Sequence, residues 1–313
     1  MALDPQTALR LCTAVLNLAV AVLTGAGLSG LWLGRDGSSW AEARRQAVRS
    51  TAIAAAVAAL AADLVLLWLE SAAMAEVPLP DAGPATWTML RSTHLGLAWA
   101  IGMAGLVVAT AAACMEHGRR LGQAGLIMAG LAVFWYTRSM VSHASSEGDF
   151  SLPLLVDWAH QGLISLWVGE VILAGCVMLA EDTDMGAADR RARAAYVDSL
   201  SGSATLALAG IFVTGLYASW RDLGGFGNLL GNPYGNTLAA KLALVGVAVL
   251  LGGFNRFCVM PPWLARESAG HAAPVLLPAR FRHVLWIEGL VLLAVVLAAA
   301  WLASTSPPGE LPS

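Results

Sequence analysis

The sequence predicts an all-α fold: a polytopic membrane helix bundle with about eight transmembrane helices and both termini periplasmic. Three observations predict it. The 313-residue chain is 58% hydrophobic and only 12% charged, with a mean hydropathy of +0.67. A water-soluble domain of that composition has too little polar surface to cover itself. Apolar runs recur, each near the ~20 residues that a helix rising ~1.5 Å per residue needs to cross ~30 Å of hydrocarbon. Positive charge, finally, is concentrated in alternate loops.

The runs follow one another with short connections. The first covers 8–34. It reads as a span and not a cleavable signal, because Asp4 precedes Arg10 and the run exceeds a signal core in length. The second, 47–70, is preceded by Arg35, Arg44, Arg45 and Arg49. The third, 92–114, follows the turn-forming stretch Val77-Pro78-Leu79-Pro80-Asp81-Ala82-Gly83-Pro84. The fourth, 122–143, opens after Arg119 and Arg120, and the fifth, 154–180, is followed by Arg190, Arg191 and Arg193. The sixth, 199–220, ends before Gly224-Gly225-Phe226-Gly227-Asn228. The seventh and eighth, 236–259 and 281–304, flank Arg256, Arg266, Arg280 and Arg282. Lipid offers no hydrogen bonds to the backbone, so these spans must be helices.

The arginines just named are thirteen of the eighteen Lys+Arg, all on one side of this topology. The other five are Arg10, Arg91, Arg138, Arg221 and Lys241. The positive-inside rule makes the arginine-rich side cytoplasmic, and an even number of spans puts both termini outside. Spans and short connections use almost the whole chain, so 1–313 reads as a single integral membrane domain. The sequence has no Walker loop, GxSxG or HExxH. No catalytic site is expected, and nothing points to nucleic acid. Cys12, Cys114, Cys176 and Cys258 show no CxxC spacing, so no disulfide framework is expected. Trp87, Trp158, Trp220 and Trp301, near span ends, read as interfacial anchors.

The chemistry concentrates around one outward loop. Ser142-His143-Ala144 closes the fourth span and Asp157-Trp158-Ala159-His160 opens the fifth. Ionisable side chains at membrane depth are costly and mark sites. Met140 lies three residues before His143, and Asp157 three before His160, spacings that share a helix face. His94 starts the third span on the same outer face. Imidazole suits copper, zinc, iron and nickel, whereas thioether favours Cu(I). This His/Met/carboxylate mixture therefore points to copper, with His143, His160, His94, Met140 and Asp157 as the candidate set. Each histidine alone also reads as a solvated interfacial residue, so the case rests on the group. Asp63 and Glu70 share a face of the second span, and Arg138 and Lys241 read as ion-pair partners. Further in, Glu170, Cys176, Met178 and Cys258 could line an inward ion path; the competing reading is a helix-packing carboxyl with sulfur filler.

These residues resemble the CopD-type inner-membrane copper-resistance and copper-transport proteins. The resemblance is carried by Ser142-His143-Ala144, by Asp157 with His160, by Trp167-Val168-Gly169, and by Asn232-Pro233-Tyr234-Gly235 followed by Lys241. Asn255-Arg256, Arg282, Glu288 and Pro307-Pro308 complete it. It covers spans four to eight; the first three match in length and hydropathy only. It implies a multi-span protein of the bacterial inner membrane that imports copper from periplasm to cytoplasm, working with a small periplasmic copper-binding partner of the CopC type. It supports His143 and His160 as outer ligands and gives Tyr234 and Lys241 a structural role. Glu170 departs from the pattern, where a small residue is expected. Two other functions remain open: a haem-binding b-type redox membrane protein, which a Soret band would reveal, and a copper sensor or transfer protein that does not transport.

Overall fold

The computed structural model describes residues 4–33, 37–115, 120–179, 185–274 and 276–308. Arg35 and Arg119, and the expected span limits at 34 and 180, lie outside them. The described residues are helical with no strand. The long helices are α1 (Pro5–Leu33), α2 (Ser39–Met74), α4 (His94–Cys114), α5 (Arg120–Met140), α6 (Leu152–Leu173), α7 (Ala187–Leu223), α8 (Pro233–Phe254) and α10 (Leu276–Ala303). Two short helices, α3 (Gly83–Ser92) and α9 (Met260–Ser268), occupy segments expected to be connections. Polar side chains start several of these helices. Ser38 accepts from Ala41 N, Thr93 from Gly96 N, Ser151 from Leu154 N and Asn232 from Gly235 N.

Seven helices among the described residues are both long and apolar enough to cross a membrane. The fourth expected span, α5, falls short in apolarity and not in length: its 21 residues measure about 31 Å. It runs antiparallel to α4 over the same depth. Gln123 Nε2 donates to Ala112 O at 2.9 Å near one end, Gly130 packs on Gly105 midway, and Thr137 packs on Gly102 near the other. The two helices approach so closely because glycines meet there, as is usual for helices in lipid. α1 lies at the centre, against α2, α5, α6 and α10.

The bundle has two distinct ends. At one, Arg10 Nε donates to Ser304 Oγ at 2.7 Å and its guanidinium lies 3.9 Å from the Trp301 ring centre, so the first helix starts where the last one ends. At the other, arginines cap helix carbonyls: Arg44 to Val177 O at 3.1 Å, Arg49 to Cys114 O at 2.9 Å and Arg282 to Leu179 O at 3.3 Å. Cations at helix C-termini satisfy orphan carbonyls and oppose the helix dipole. The alternate arginine loops thus do gather at one end.

Local structure differs from expectation in three places. α5 stops at Met140, and Ser142 turns extended (φ −97°, ψ 172°) to start a 3-10 turn, His143–Glu147. His143 therefore leaves the helix face of Met140 that the three-residue spacing predicted. Trp158 turns inward and donates to Ala132 O at 2.9 Å, stapling α6 to α5. The C-terminal ends of α6 and α8 widen into π turns, Ala174–Met178 and Asn255–Val259.

Candidate metal centre

α7 and α8 are consecutive in the chain but barely touch. α7 packs on α6, α8 on α10, and a cleft opens between them. Its outer part is a cavity of about 480 Å³. His143, Asp157, His160, Asp222, Tyr234 and Lys241 are among the polar residues lining it. Deeper in, Ile164, Leu208, Val249 and Leu292 make the wall apolar. The cavity opens at the end that holds both described termini, since His143 and Arg221 sit there while Arg256 and Arg282 lie at the other.

His160 is the best-oriented of the candidate ligands. Its Nδ1 lies 2.7 Å from Thr214 Oγ1, and that hydroxyl donates its own proton to Gly210 O at 2.7 Å. The Thr214 oxygen must then accept from Nδ1–H, which leaves the Nε2 lone pair for a metal. Gly215 makes room for the ring: a Cβ there would sit 3.1 Å from His160 Cε1. Asp157 is held by three donors. Ser139 Oγ at 2.7 Å, Gln161 Nε2 at 2.7 Å and Ser142 Oγ at 3.2 Å all reach its Oδ2. The network ties α5 and the His143 turn to α6, so Asp157 positions the site as well as lining it. Arg221 fixes the turn from the α7 side, donating to Ser146 Oγ at 2.7 Å and lying 3.4 Å from Glu147 Oε1. Asp222 accepts from Tyr234 OH at 2.9 Å, joining α7 to α8 at the cavity mouth. Lys241 stands within electrostatic reach of Asp157, Asp222 and His160.

The structure thus brings His143, Asp157 and His160 to one cavity and leaves the other candidates out of it. His94 caps the far side of the outer end, with Nε2 2.8 Å from Asp149 Oδ2. Met140 ends α5 outside the cavity lining. Among the described residues, no three His, Cys, Asp or Glu side chains converge at ligand spacing. Glu170 is fully buried between α1, α6 and α7. Its Oε1 accepts from Ser203 Oγ at 2.6 Å, and its Oε2 has no partner among the described residues. Met178 is fully buried too, whereas Cys176 and Cys258 face outward from the two π turns.

Sequence reasoning passed over Thr214 and Asp222. Both left a signal: a threonine beside a glycine inside an apolar span, and an Arg-Asp pair just before Gly224-Gly225.

Fold and cavity together define a polytopic helical membrane protein with a partly polar vestibule at one end. Residues 194–302 match the copper resistance protein D family, and residues 2–152 match the copper resistance protein D-like N-terminal domain. The chain belongs to the copper resistance protein D family. It is 28% identical over 239 residues to copper resistance protein D of Pseudomonas syringae pv. tomato, covering 74% of each chain. No solved structure matches it.

Proposed function

We propose that the protein is a copper permease of the bacterial inner membrane, carrying copper from periplasm to cytoplasm through the cleft between α7 and α8. The observation that supports this most is His160, whose Thr214-fixed tautomer aims a bare imidazole nitrogen into a cavity it shares with His143 and Asp157. His143 completes a two-imidazole site, and Asp157 orients the turn or ligates through its second oxygen. The arginine-rich end is cytoplasmic by the positive-inside rule, so the cavity and both termini are periplasmic. The exposed mouth then suits delivery by a periplasmic copper-binding partner of the CopC type. The cavity carries out binding and passage, with no catalysis.

Copper stoichiometry of purified protein tests the site. His160→Ala and His143→Ala each lose the bound ion, and unchanged binding in a folded double variant removes the proposal. The same purified protein is expected to show no Soret band. Copper uptake into proteoliposomes separates a permease from a copper sensor or transfer protein.

A further inference from the structure

The vestibule is only the outer half of the cleft. Below it lies a second cavity of about 280 Å³, at the arginine-rich end. Trp167, Leu208 and Val249 line both cavities, so these three side chains are the partition between them. Helix geometry orders the two along one axis. Down α8 the lining runs Lys241, Val245, Val249, Gly252, Asn255, a descent of about 21 Å; up α10 it runs Phe281, Leu285, Glu288, Leu292, Val295.

The floor of the inner cavity carries polar groups that the fold does not explain. Glu288 is 2% exposed and Asn255 3% exposed, both deep in the bundle. Asn255 donates to Phe281 O at 3.3 Å, but its Oδ1 has no partner among the described residues. An orphan buried acceptor in a native fold asks for an explanation, and a ligand is one. Asn255 also opens the π turn of α8, a feature frequent at functional sites. Gly252 leaves room for the Glu288 carboxylate: a Cβ there would stand 3.2 Å from Oε1. Trp167, part of the partition, lines the same inner cavity as Glu288.

We propose that the inner cavity is the second half of the copper route, with Glu288 and Asn255 oxygens forming a transient cation site and Trp167, in the partition shared by both cavities, acting as the gate between the halves. This rests on the permease reading above. Oxygen donors hold copper less firmly than imidazole or thiolate, which suits a site that must release its ion. The route passes Glu288 and avoids Glu170, which lines neither cavity.

Two readouts test it. In proteoliposomes, Glu288→Gln retains copper at the outer histidines and loses uptake to the level of protein-free vesicles; full uptake by a folded Glu288→Gln variant overturns the proposal. The gate is read without transport. In a background with the four cysteines changed to serine, Ala204→Cys puts a thiol in the inner cavity. A membrane-impermeant thiol reagent added on the histidine side labels it when Trp167→Phe is also present and not when Trp167 is intact. Labelling in both backgrounds, or in neither, overturns the gate. If wild-type protein takes up no copper, the permease reading fails while the labelling still decides the gate.

Discussion

Between α2, α4 and α5, Asp63, Glu70 and Arg138 line a pocket of about 20 Å³, space for about one water. Between α6, α7, α8 and α10, Asp157, Asp222, Arg221 and Lys241 line about 480 Å³. The charges are alike, two acids with one or two bases, yet one group is packed around room for a single water and the other faces a vestibule. Glycine contacts account for the difference. Gly102, Gly105 and Gly130 close α4 on α5, and Gly25 and Gly169 close α1 on α6. On α8 and α10, a Cβ added at Gly246, Gly253 or Gly289 would meet nothing within 4 Å among the described residues. Burying ionisable groups in lipid does not by itself make a site; the helices around them must also stand apart.

The largest expected effect tests the tightly packed half. A Cβ on Gly169 would collide with the Ala21 carbonyl of α1, a backbone group that cannot turn away. Gly169→Ala is expected to lower stability toward the upper end of the ~1–3 kcal/mol typical of overpacking. Gly246→Ala, on the open side, should leave the thermal midpoint in detergent unchanged or raised. Equal losses from both would erase the contrast between the halves.

The next effect sharpens the open half. Thr214→Val keeps the shape beside His160 and removes the oxygen that fixes its tautomer. Copper affinity should fall about 10-fold or more, the usual cost of losing such a partner, while Thr214→Ser retains it. If Thr214→Val binds like wild type, the imidazole needs no orientation from α7.

Asp63→Asn separates the two acid groups directly. Asp63 is 2% exposed and its Oδ2 has no partner among the described residues, so a neutral isostere removes a buried charge that no donor satisfies, and Glu70 still faces Arg138. Copper binding should not change and stability should hold or rise. A variant that lost outer-site copper would show that the two halves are coupled.

The sequence made the helices and their alternation legible because both follow from single-residue properties: hydropathy sets the spans, and arginine placement sets the ends. Asp157 and His160 were legible for a related reason, sitting three apart on one helix. What pairs with what across helices was not. The cleft exists because α7 and α8 diverge, and neither sequence announces a neighbour it lacks. Glu170 illustrates the limit. Its helical phase relative to His160 placed it on an inward path, but α1 crosses α6 at Gly25 and Gly169, next to it, and seals that face. The helix turns by ~100° per residue, so the face continuing below His160 at the cavity wall is that of Ile164 and Trp167.

His94 is where helix-end position and cavity geometry part company, and it carries the smallest expected effect. It was grouped with His143 and His160 because all three sit at the same end of the bundle. The structure gives it a different employment: it starts α4 and binds Asp149, whose own carbonyl accepts from Tyr136 OH at 2.6 Å. That pairing fastens the 148–150 segment to α4 and α5, on the far side of α6 from the cleft. The His94 side chain is 50% exposed, and exposed pairs of this kind contribute ~1 kcal/mol or less. His94→Ala should therefore lower the thermal midpoint slightly and leave both copper stoichiometry and affinity as they are. Loss of copper in this variant, with the His160 site intact, would mean that the vestibule closes around the ion by drawing in α4, and the division into a tightly packed half and an open half would have to be given up.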